Sequence, residues 1–101
     1  MRWMVRVTVP RERRNAIAPL IPAEVARSRV LKEEGVLETS YRAADDTYTW
    51  LVLRSESEDA LQQALESLPL YPFFEIERNP LVAPERIAQA EAEALHAIDR
   101  Q

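Results

Sequence analysis

Residues 2–9, Arg-Trp-Met-Val-Arg-Val-Thr-Val, alternate: Trp3, Val5, Val7 and Val9 point one way, and Met4, Arg6 and Thr8 the other. β-Branched residues at a period of two read as a strand with one buried face. The chain returns to strand-like runs at residues 36–42, 47–54 and 73–77, and helical spacing fills two of the gaps. The resulting order, β-α-β-β-α-β, permits few folds. It makes one antiparallel sheet with two helices on the same face.

The punctuation agrees with that order. Pro10 ends the first strand, because proline cannot donate to a ladder. Residues 10–21, with Pro10, Pro19 and the basic Arg11, Arg13 and Arg14, read as a solvated loop, with an anion site as the less favoured alternative. Pro22 suits the first turn of a helix, and Glu24 in that turn complements the helix dipole. This helix runs to about Glu34. Gly35, the only glycine in the chain, stands where a left-handed C-terminal cap belongs. Ala43-Ala44-Asp45-Asp46 is a hairpin connection between the second and third strands.

Ser55 or Ser57 caps the second helix, and Ser55-x-x-Glu58 fits a capping box. Its buried stripe is Leu61, Ala64, Leu65 and Leu68. Pro69 and Pro72 turn the chain into a fourth strand, closed by Pro80. After Pro84, residues 85–99 predict a third helix with an apolar stripe of Ile87, Ala94, Leu95 and Ile98. The reading is therefore an α+β, ferredoxin-like βαββαβ domain over residues 1–82 and a C-terminal helical extension over residues 83–101. Small domains of this kind commonly pair sheet to sheet, which gives a dimeric α/β barrel, and a domain of 101 residues gains from burying more surface in that way.

Composition excludes several function classes. The chain has no cysteine, hence no disulfide framework, thiolate nucleophile or thiolate metal site. A formal charge of −4 gives no attraction to nucleic acid or to an anionic membrane. No apolar run approaches the ~20 residues of a membrane span. The first residues do not form a secretory signal, since Arg2 and Arg6 interrupt a short apolar run. The expected location is the cytoplasm. One glycine cannot make a Gly-rich phosphate loop. The single histidine, His96, lies on the terminal helix with no cluster of ligands near it, so neither metal nor other cofactor is expected.

From Glu24 onward two stretches carry a more specific pattern. One stretch is Glu24-x-Ala26-x-Ser28-x-x-Leu31-x-x-x-Gly35, with Arg42 seven residues beyond the glycine. The more specific stretch runs from Leu61 to Leu81. It contains Leu68-Pro69-Leu70-Tyr71-Pro72-Phe73, then Glu75-Ile76-Glu77 and Asn79-Pro80-Leu81. A weaker match covers Val5-Arg6. In these stretches the chain resembles the muconolactone delta-isomerase family, and the resemblance implies a ferredoxin-like subunit, a homo-oligomer (a dimer or a ring of dimers) and a cofactor-free proton shift within an unsaturated lactone of aromatic catabolism. In that alignment Thr39 stands where the isomerases carry a histidine.

Glu24 is the candidate catalytic residue. Glu24, Ser28, Leu31 and Gly35 recur at helical spacing and share one stripe. If Leu31 faces the sheet, so does Glu24. A carboxylate against apolar strands loses hydration, and its pKa rises toward that of a working base. An allylic proton shift needs one group that takes a proton and returns it to another carbon. The bland alternative is a carboxylate that merely decorates the helix N-terminus.

Arg6 and Arg42 are candidate anchors for a substrate carboxylate, because guanidinium binds carboxylate bidentately. Each has an alternative as an ion-pair partner of Glu38, Glu75 or Glu77. Thr39, Trp50 and Tyr71 complete the expected substrate-binding set. For the aromatics, a core or interface role is the alternative. The small-molecule isomerase competes with two other readings, a non-catalytic oligomeric binding module and a cofactor-independent oxygenase on the same scaffold.

Overall fold

The computed structural model describes residues 1–99. Four strands, β1 (Arg2–Thr8), β2 (Leu37–Arg42), β3 (Thr49–Arg54) and β4 (Glu75–Leu81), form one sheet in the order β2-β3-β1-β4. Every neighbouring pair is antiparallel. The helices are α1 (Arg14–Ile17), α2 (Ile21–Glu33), α3 (Glu58–Glu66) and α4 (Pro84–Asp99). The expected β-α-β-β-α-β order is present, and the sheet is open rather than closed.

Period two in β1 buries Trp3, Val5 and Val7 on one face. Leu51 and Leu53 of β3 join them, as do Leu31 of α2 and Leu61, Leu65 and Leu68 at α3. Val5, Leu61 and Leu65 have no exposed surface, so the α3 stripe is the centre of the core. On the opposite face lie Met4, Arg6 and Thr8, opposite Val52 and Trp50 of β3 and Glu77 of β4. A register shift between Leu37 and Thr39 turns Thr39 and Tyr41 to that second face. Ser40 and Arg42 stay with the helices.

Gly35 works as expected and more completely. It has φ +77°. Its N–H donates to the Lys32 carbonyl at 3.1 Å, and the Val36 N–H donates to the Leu31 carbonyl at 2.9 Å. These are the paired bonds of a Schellman motif. At the β2–β3 hairpin Asp46 takes the left-handed conformation, φ 63°.

Three expectations are corrected. Residues 10–21 are not an irregular loop: α1 is flanked by 3-10 turns at Arg11–Arg13 and Ala18–Leu20, so the prolines sit in tight helical turns. The capping box of Ser55 is absent. Ser57 is the N-cap, its hydroxyl accepting from the Ala60 N–H at 3.1 Å. Ser55 instead accepts from the buried Trp3 indole N–H at 3.0 Å and donates to the Ser57 carbonyl at 2.8 Å. Strand β4 starts at Glu75, after a 3-10 turn at Tyr71–Phe73, and runs through Pro80 to Leu81. An edge strand tolerates a proline that a central strand would not. The apolar stripe of α4, expected to pack on its own subunit or on a neighbour, has no cover on this one: Ile87, Leu95 and Ile98 are all exposed.

Candidate active site

Between the helix-side face of the sheet and α2 lies a cavity of about 630 Å³. Its apolar wall includes Val7, Leu37, Leu51, Leu53, Leu68 and Phe74. Glu24, Ser28 and Leu31 line it from α2. The period of the helix aims all three at the sheet. Leu31 is buried, whereas Glu24 and Ser28 nearer the helix start remain half-buried.

Two bonds tie α2 to the corner after α3. Leu70 donates its backbone N–H to Glu24 Oε1 at 3.0 Å. Arg27 Nε donates to Ser67 Oγ at 3.0 Å. Tight turns around Leu68 and Leu70 make the first bond possible, with Tyr71 donating to the Leu68 carbonyl and Phe73 to the Leu70 carbonyl, both at 2.9 Å. Burial pushes the Glu24 carboxyl above the ordinary glutamate value, and the Leu70 N–H opposes this more weakly. Oε2 has no protein donor among the described residues. One oxygen is thus held by the main chain and the other is not.

The expected site residues divide by sheet face. Glu24 and Arg42 line the same cavity. Arg42 Nη1 lies 4.0 Å from Asp46 Oδ1, and both side chains are largely exposed, a weak pairing. Arg6 is on the second face, bonded to Glu77 across the ladder and stacked 4.6 Å over the Tyr48 ring. Thr39 and Trp50 also face that side. The Tyr71 hydroxyl accepts from Gln62 Nε2 at 2.7 Å and lies outside the cavity wall. Within one subunit, then, the structure brings Arg42 to Glu24 and holds Arg6, Thr39, Trp50 and Tyr71 away from it.

A second cavity of about 530 Å³ opens at the end of β1, lined by Arg6, Arg11, Arg14, Tyr48, Glu75 and Glu77 among others. The sequence reading left two elements of the site unassigned. Arg14 lies on the walls of both cavities; its only signal was the basic run beside Pro10. The Leu70 donor gave no signal, because it is main chain. No group of three or more His, Cys, Asp or Glu among the described residues is placed to hold a metal ion. No helix among them is long and apolar enough to cross a membrane.

The muconolactone delta-isomerase family model matches residues 1–86. The chain belongs to the muconolactone delta-isomerase family. A solved muconolactone isomerase superposes with a TM-score of 0.69 at 30% identity, covering 83% of this chain and 92% of that one. The fold is also that of 5-chloro-2-hydroxyhydroquinone dehydrochlorinase from Burkholderia phenoliruptrix AC1100, solved with 2,5-dihydroxybenzoquinone. That match has a TM-score of 0.68 at 15% identity and covers 85% of this chain and 98% of that one. No curated protein matches significantly. The Glu24 cavity thus lies on the scaffold of the muconolactone delta-isomerase family.

Proposed function

We propose that this member of the family is a cofactor-free isomerase that shifts a proton within a small unsaturated lactone or acid of aromatic catabolism, working in the cytoplasm. The observation that carries the reading is the half-buried Glu24 carboxylate, one oxygen held by the Leu70 N–H and the other free, in a cavity with an apolar wall on the sheet side. As the general base, Glu24 takes the allylic proton from one ring carbon. The C–H electron pair moves into the conjugated system and leaves an enolate. The protonated carboxyl then returns the proton to the carbon at the other end. Its raised pKa suits both halves of this exchange, since the group must hold the proton between them.

Arg42 faces the same cavity, where its charge adds to the attraction for an anionic substrate. Thr39 and Trp50 reach a substrate in this reading only if a second subunit brings its own cavity to the open face of the sheet, while Arg6 lines the second cavity and is bonded to Glu77. That face carries Met4, Trp50 and Val52, with Tyr41 exposed beside them. It supports a homodimer, or a ring of dimers, as the working form.

The test is incubation of the purified protein with muconolactone in deuterated water, followed by proton NMR. The reading expects enol-lactone formation with solvent exchange at the reacting carbons, and its loss in Glu24→Gln. Turnover that survives Glu24→Gln removes the residue from the role of base.

A further inference from the structure

The two cavities are neighbours. Thr8, Val9, Arg14, Thr47 and Tyr48 line both, so they adjoin at the end of β1. In the Glu24 cavity, charge runs against the rest of the molecule. The chain carries −4, yet the wall of the Glu24 cavity has four cations (Arg14, Arg29, Lys32 and Arg42) against two carboxylates, Glu24 and Asp46. Such a wall favours an anionic ligand.

Those cations are not equivalent. Arg42 sits beside Asp46. Arg29 and Lys32 are on α2 five and eight residues past Glu24, which at 1.5 Å per residue sets them about 7 and 12 Å farther along the axis. Arg14 opens the short helix that leads into α2 at the Glu24 end. It makes no ion pair among the described residues. The Arg13 N–H donates to the Pro10 carbonyl at 2.9 Å and a 3-10 turn through Pro19 follows, so regular turns flank α1 on both sides. A guanidinium without an ion-pair partner keeps its planar fork of donors for a carboxylate.

We infer that Arg14 binds the substrate's carboxylate and makes the site selective for lactones or unsaturated acids bearing a free carboxylate arm over their neutral esters. This rests on the isomerase reading for the position of the reacting ring, which lies at Glu24 while the arm extends toward the junction of the two cavities.

The probe is the saturated analogue of muconolactone, which keeps the carboxylate arm and has no allylic proton, alongside its methyl ester. Binding of each is measured by calorimetry to the wild type, Arg14→Ala, Arg14→Lys and Arg11→Ala. A charge-assisted pair predicts that the wild type prefers the acid by about tenfold or more. Arg14→Ala is expected to lose that preference, Arg14→Lys to keep part of it, and Arg11→Ala, whose side chain lines only the second cavity, to keep it. An unchanged preference in Arg14→Ala, or a wild type that favours the ester or binds neither form, overturns the assignment. Turnover of muconolactone by the same proteins separates the two ideas. An Arg14-dependent preference without turnover leaves the anchor standing and removes the isomerase reading. Turnover without the preference does the reverse.

Discussion

The Leu70 N–H donates to Glu24 Oε1 at 3.0 Å across a sequence separation of 46 residues. It orients the candidate base and also fastens α2 to the corner that follows α3. The two roles separate by substitution. Glutamine keeps an oxygen acceptor for Leu70 and loses the base, so Glu24→Gln is expected to fold normally while turnover falls roughly a hundred- to ten-thousandfold. Glu24→Ala loses the acceptor as well and costs about 1–3 kcal/mol of stability. Initial rates and urea titrations of both variants check this.

Activity should follow the ionisation of Glu24. Only the carboxylate can take a proton, and burial holds its pKa above the ordinary 4.5. The rate therefore rises with pH through a limb centred above that value, as read from kcat/KM against pH. Stability moves the other way. A carboxyl raised in the folded state favours folding in its protonated form. Its penalty is absent below the unfolded value and grows as pH climbs through the folded one. Glu24→Gln should gain stability relative to the wild type from acid to neutral pH.

At the start of α3, Ser57 and Ser55 are expected to differ in kind. Ser57→Ala removes the N-cap bond to Ala60 and costs about 1 kcal/mol. Ser55→Ala strands the indole N–H of Trp3, which is only 5% exposed, at about 1–3 kcal/mol. Glu58→Ala, damaging if a capping box existed, should change stability by no more than about 0.5 kcal/mol. Thermal melts of the three variants distinguish these cases.

Gly35→Ala tests conformation apart from packing. A Cβ at Gly35 meets nothing within 4 Å, so the cost is that of the left-handed backbone alone. Chemical denaturation should show a loss of about 1–2 kcal/mol. Gly35→Asn is expected to lose less, because asparagine tolerates this conformation better.

Much of the fold was legible because the local signals agreed. Alternation in β1, the lone glycine after α2 and the leucine stripe of α3 each specify an element and its buried face. Pro80 misled because proline ends a central strand, whereas β4 is an edge, and edge position depends on strand order. Ser55 misled because its spacing to Glu58 fits a capping box, while its hydroxyl is claimed by Trp3 from a distant strand. At the site, helical period was enough to aim Glu24 at the sheet. The face occupied by Thr39 follows from the register shift in β2, and period-two counting cannot see a bulge. Arg14 was hidden because prolines and arginines read as loop, yet they form consecutive helical turns.

The group that aims Glu24 belongs to the main chain, and this bears on how the site can drift over evolutionary time. Any residue except proline at position 70 supplies the same N–H. Substitutions there can remodel the apolar wall without redirecting the carboxylate. If Glu24 is the base proposed above, the corner can explore new ring shapes and substituents while the carboxylate keeps its aim, so substrate preference can diverge along this lineage faster than the chemistry it serves.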